Sequence, residues 1–167
     1  LSEVLEVEGI CRMPSRRYVM SGKRFQEMSV GDKFTSPSKT ITETAITLCV
    51  GLAGMTARFF NDAEAAGKTP LGWQAAPGRM TLMMMGGLEE QTEIWAEPAL
   101  LSGFNNVRFR KPVMAGDTIH IEMEIIEKRE TSKPGQGLVV HRSVCRNQRN
   151  EAVLEVDNVH VVNYRQE

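Results

Sequence analysis

With 167 residues, 41% of them hydrophobic and 25% charged, the chain has the size and composition of one soluble globular domain with a sizeable core. A net charge of -1 argues against nucleic-acid and anionic-membrane binders, which need a basic surplus. No window approaches the roughly 20 apolar residues of a membrane span, and Cys11, Cys49 and Cys145 are too scattered for a zinc or redox pair, so they read as buried or partly buried thiols.

In chain order, the opening segment LSEVLEVEGICRMPSRRYVM lacks the apolar stretch of a signal peptide, and the chain reads as cytoplasmic. Residues 1–24 show no sustained period and carry Pro14, Gly22 and the Arg16-Arg17 pair, an extension draped over a body or left mobile. The domain, residues 25–167, begins at FQEMSVGDKF. Thr40 and Glu43 stand at capping-box spacing before Ile46, Cys49, Val50 and Ala53, which predicts a short helix closed by Gly54. An irregular stretch rich in Gly, Ala and Asn then runs to Pro77. There a longer helix starts, with Met80, Met83, Met84 and Leu88 as its apolar stripe.

Beyond Trp95 the period changes to two and predicts three long strands. Ile119, Ile121, Met123 and Ile125 alternate with polar residues, so one face is buried and the other wet. Lys133-Pro134-Gly135 turns into GLVVHRSVCRN, and the turn from Gln148 to Asn150 leads into EAVLEVDNVHVVNY, which makes an antiparallel meander. Together with a strand from the N-terminal part and the two helices, this is an α+β domain. No second His or Cys lies at metal-ligand spacing from His120 or His141, so no metal is expected; His160 shares parity with Leu154 and Val156 and reads as a satisfied, half-buried histidine.

Several stretches together resemble the MaoC-like dehydratases and (R)-specific enoyl-CoA hydratases: FQEMSVGDKFTSPSKTITET, GLAG, GKTPLG, NNVRFRKPVMAGDTIHIEMEIIEKRE and NQRNEAVLE. The resemblance implies the hotdog fold, a long central helix wrapped by a curved antiparallel sheet. It also implies two such units side by side, a homodimer or higher oligomer or a heteromeric hotdog pair, with a pocket for an acyl thioester between them. The carrier would be coenzyme A or acyl carrier protein, and no cofactor is called for.

The family's catalytic loop resembles G-D-x-N-P-x-H, where the Asp and His hold a water and move it across a double bond. Laid without gaps on this chain, Met55 stands at the Asp position and Phe60 at the His position, with Gly54, Asp62, Lys68-Thr69-Pro70 and Gly78 keeping the register. Neither Met nor Phe accepts or delivers a proton, and together they dry the pocket that must hold the water. Arg58, Asp62 and Arg79 are the candidate replacements, and an ion pair on the surface is the competing reading for them. Gly78 matches the family's backbone donor to the thioester carbonyl at the start of the central helix, where unpaired N–H groups and the dipole favour an oxyanion. Asn61 and the basic cluster Arg108, Arg110 and Lys111 complete the candidate binding set, the cluster facing the phosphates of the carrier or simply lying on a solvated strand. Two classes of function follow: altered chemistry on an acyl thioester or polyketide-like intermediate (isomerisation, cyclisation or specialised dehydration), or a non-catalytic hotdog subunit that binds an acyl thioester or supports an active partner.

Overall fold

The computed structural model describes residues 22–164, so nearly all of the expected N-terminal extension lies outside the described residues. Lys23, just before Phe25, is already tied to the body. The Lys23 N–H donates to the Ile94 carbonyl at 3.0 Å, and its ammonium pairs with Asp32 at 2.8 Å. A 3-10 turn at Phe25–Glu27 follows. Short strands β1 (Lys33–Thr35) and β2 (Lys39–Thr40) lead to helix α1 (Glu43–Leu52).

Thr42 caps α1, its hydroxyl accepting the Ala45 N–H at 3.1 Å. The Thr40–Glu43 capping box is therefore corrected: Thr40 is already in β2, where its hydroxyl bonds that of Thr118 at 2.8 Å. Helix α1 buries Ile46 and Val50 and ends before Gly54, whose left-handed φ of 62° suits glycine. The stretch expected to be irregular holds two short helices, α2 (Arg58–Asn61) and α3 (Ala63–Gly67). Their periods are too short to show in a sequence window.

Helix α4 (Gly78–Glu90) starts directly after Pro77, as expected. Its core stripe is Met80, Met85 and Leu88 with Met84 packed partly against them, whereas Met83 is 57% exposed and does not belong to it. Four long strands follow rather than three: β3 (Ala99–Phe109), β4 (Thr118–Glu130), β5 (Gln136–Asn147) and β6 (Ala152–Asn163). Register shifts between Leu101 and Gly103 and between Asn105 and Arg108 break the alternation of β3, which hid it from a period-two reading.

All strand pairs are antiparallel, in the order β1-β4-β5-β6-β3 with β2 also on β4. Ile119, Ile121, Met123 and Ile125 of β4 face the core as their spacing predicts, joined by Val139 and Cys145 from β5 and Leu154 and Val156 from β6. The other face carries a polar row across the sheet. Lys33 reaches Glu124, which lies beside Arg142; Arg142 holds Asp157 at 2.7 Å, and Asp157 accepts from Asn106 at 2.7 Å. Cys145 is buried and Cys49 half-buried, both free thiols; burial pushes the Cys145 thiol up to about 12. Leu88 is fully buried where α4 meets the sheet. Leu88→Ala should lower unfolding free energy by about 2–5 kcal/mol in urea titrations, with m unchanged.

Candidate functional site

The segment before α4 is held by two backbone bonds to the loop after β3: Ala76 N–H to the Val113 carbonyl at 2.8 Å and Ala115 N–H to the Gln74 carbonyl at 3.0 Å. This brings the N-terminus of α4 against the end of β3. Pro77 offers no side-chain acceptor, and the first backbone bond of the helix runs from the Thr81 N–H to the Pro77 carbonyl at 3.1 Å. Among the described residues nothing accepts from the N–H groups of Gly78, Arg79 or Met80. An uncapped helix start of this kind is an unfilled donor site with the positive end of the dipole behind it.

Gly78 opens into a cleft of 310 Å³ bordered by Phe59, Phe60, Leu71, Pro77, Thr81, Phe109, Arg110 and Lys111, among others. The Phe109 ring lies so close to Gly78 that an added Cβ would meet it at 3.0 Å. Thr81 is buried, and its hydroxyl has only a 3.5 Å contact with the Pro77 carbonyl, at the limit of a hydrogen bond. Among the described residues every other wall residue is apolar or cationic, and none is a carboxylate or an imidazole. A larger hollow of 490 Å³ lies elsewhere, against β1, β4 and β5, but its charged groups are already paired, Lys33 with Glu124, Glu122 with Arg146 and Arg142 with Asp157. The smaller cleft, with its free donors, is the candidate site.

The sequence candidates divide around it. Phe60, Gly78, Arg110 and Lys111 border the cleft. Met55 does not; it packs half-buried against the core. Arg58 pairs with Asp62 at 2.9 Å, one helical turn apart and exposed, and Asp62 also caps α3 by accepting the Ala65 N–H at 3.0 Å. The Ala65 N–H first and Arg58 second hold the Asp62 carboxyl below its usual range. Asn61 and Arg79 are exposed and outside the cleft walls. Arg108 donates to the neighbouring Val107 carbonyl and also stays outside. The two basic side chains in the cleft are not free charges. Arg110 donates twice to Glu155, at 3.1 and 2.7 Å, and holds that carboxyl down. Lys111 pairs with Glu151, whose carboxyl is lowered to about 2 by Asn147 first and then by Lys111 and Arg149.

Thr81 and Phe109 escaped the sequence reading. Thr81 stands one turn beyond Gly78 on the same helix face, a signal that was available; nothing in the sequence brings Phe109 to Gly78. The expected half-buried, satisfied His160 is instead buried, with its Nδ1 atom lacking a partner. Among the described residues no cluster could hold a metal, and no helix is long and apolar enough to cross a membrane.

A central helix laid on a six-stranded antiparallel sheet, with a cleft at the helix N-terminus, defines a protein of the hotdog fold. Residues 25–145 match the MaoC like domain, and the chain belongs to that family. It is 30% identical over 112 residues to Protein MaoC of Klebsiella aerogenes, covering 66% of this chain but 32% of that protein, so it spans about a third of the relative's length. A monoamine oxidase regulatory protein from Archaeoglobus superposes with a TM-score of 0.78 at 28% identity, over 87% of this chain and 97% of that one. A MaoC-like dehydratase from Rhodospirillum rubrum gives 0.77 at 26% identity, over 85% and 97%.

Proposed function

We propose that the protein binds an acyl thioester, on coenzyme A or acyl carrier protein, with the thioester carbonyl at the Gly78 N–H and the acyl chain against Phe59, Phe60, Leu71 and Phe109. The observation that carries this reading is the uncapped start of α4 opening into an apolar cleft in a MaoC-like chain. Arg110 and Lys111 stand at the rim, where a carrier phosphate would compete with Glu155 and Glu151 for them. The same cleft argues against water addition. With Met55 and Phe60 read at the family's Asp and His positions, no carboxylate or imidazole among the described residues lines it, and a general base and acid contribute typically 10²- to 10⁴-fold each. Altered chemistry such as isomerisation, cyclisation or specialised dehydration faces the same need, so the geometry favours binding by this protomer. A partner subunit is the source we propose for the proton acceptor of any reaction.

Strand β3 supports such a partner. It is an edge strand of eleven residues with Leu100, Leu101 and Phe104 exposed, and its last residue, Phe109, is a wall of the cleft. A long apolar edge is a template for another chain. A second hotdog unit along it, the same chain or a related one, would cover the edge and close the cleft.

Three measurements test the reading. Sedimentation at micromolar concentration should give a dimer or larger species, and a monomer would argue against the partner. Short and long 2-enoyl-CoAs should show no hydration by absorbance, whereas turnover on the order of 1–10³ per second would mean that another base serves the site. Gly78→Ala and Gly78→Pro form the third, paired test. Both place a Cβ against the half-exposed Phe109 ring, but only proline removes the N–H, and the φ of -53° and ψ of 139° at Pro77 suit a following proline. Affinity for a non-hydrolysable acyl thioester should fall more than tenfold further in the proline variant, at nearly equal Tm. Equal affinities would place the carbonyl elsewhere.

A further inference from the structure

At the far end of α4 from the cleft, about 16 Å along the helix axis from Gly78, Glu89 is buried against the sheet. Its Oε1 atom accepts the Ser143 hydroxyl of β5 at 2.7 Å and the Asn158 amide of β6 at 2.8 Å. Ser143 has one proton, which it gives to Glu89, so it accepts from its other neighbours: the Asn158 amide at 3.0 Å and His141 Nδ1 at 3.1 Å. That assigns the Nδ1–H tautomer to His141 and leaves its Nε2 as a bare, buried acceptor. The His141 and His160 rings stack at 5.1 Å with Trp95 tilted against both.

Nothing in this network requires Glu89 to be charged. Oε1 serves only as an acceptor, a role that a neutral carboxyl fills. Among the described residues no Lys or Arg bonds to it. Glu90 neighbours Glu89 on α4; toward the core β5 presents His141 and Cys145, β6 presents His160, and β4 presents only Ile119, Ile121, Met123 and Ile125 before its register shift. Arg142 and Asp157 neutralise each other in the polar row on the other face of the sheet. Glu89 also lies in the last turn of α4, where the helix dipole is negative.

We propose that Glu89 is a proton-operated latch: its Oε1 accepts from Ser143 and Asn158 in either state and so ties the C-terminal end of α4 to β5 and β6, while ionisation adds a buried charge with no cationic partner, whose desolvation outweighs the stronger bonds and loosens that end of the helix. Burial first, then the neighbouring Glu90, raises the carboxyl to about 7, against the opposing pull of Ser143 and Asn158. A raised acid stabilises the fold in full below its unfolded value, here 4.5, and that stabilisation is lost as the pH rises through about 7. The histidines act in the opposite sense. Burial lowers His141 to about 3 and His160 to about 4, so their contribution is present above 6.5 and is lost as the pH falls through those values.

Comparing the full chain with Glu89→Gln separates the two effects, because the amide keeps the acceptor and cannot ionise. The Tm of the variant should gain on the parent as the pH rises from 4.5 to 8, by on the order of 5–10 °C in total. Amide exchange in the last turn of α4, corrected for its intrinsic pH dependence, should accelerate over the same range in the parent alone. A Tm difference that does not change with pH overturns the latch. Should the variant not fold, the parent's infrared carboxyl band decides: a protonated carboxyl that titrates near neutrality supports the proposal, and complete ionisation below about pH 6 overturns it.

Discussion

Burial of α4 against the sheet is the constraint on which the rest of the molecule depends. An isolated helix of 13 residues is marginal in water, so its persistence comes from Met80, Met85 and Leu88 packing on β4, β5 and β6. Once the helix is fixed, its two ends acquire opposite properties. At the start, Pro77 supplies no cap and the free N–H groups look into a cleft. At the finish, the chain places an acid among neutral histidines, a serine and an asparagine. One packing decision thus sets both the candidate binding site and the buried titrating group.

Charge is arranged with the same economy. Arg58, Arg110, Lys111 and Arg142 each have a carboxylate partner, and the polar face of the sheet is crossed by a row of paired groups. Most of these pairs are exposed and contribute little stability. Their consequence for the site is that its rim cations are already engaged, so an anionic carrier would exchange partners rather than meet bare charges. Among the described residues the cleft interior keeps donors and apolar surface but has neither carboxylate nor imidazole. That combination suits holding a polarised carbonyl and is poorly suited to moving protons.

Legibility in the sequence followed the physics of each element. The β4–β5–β6 meander was readable because strands with one buried face alternate every second residue, as Ile119 to Ile125 do. The start of α4 was readable because proline before an apolar period is a local signal. The fourth long strand, β3, was not readable: two register shifts and a wet edge leave it no regular period. The α1 cap lay two residues from the expected one because cross-strand pairing took Thr40 first. Met83 looked like core by spacing, but which side of a methionine-rich helix faces the sheet depends on the crossing of helix and sheet, which periodicity does not contain.

For the candidate site the division is sharper. By itself the sequence determined the α+β class, the hotdog resemblance and Gly78 as the first residue of the helix, since each depends on residue identity and near-neighbour spacing. Only the tertiary structure decided that Arg58 and Asp62 satisfy each other away from the cleft, that Phe109 lies over Gly78, that Arg110 and Lys111 but not Arg108 reach the rim, and that Glu89 meets Ser143 and Asn158 across 54 and 69 residues of chain. Apart from the Arg58–Asp62 pair, four residues apart, those contacts join groups far apart in sequence. Hydrogen bonding and desolvation act through space at a few ångströms, and a one-dimensional pattern carries no record of that distance.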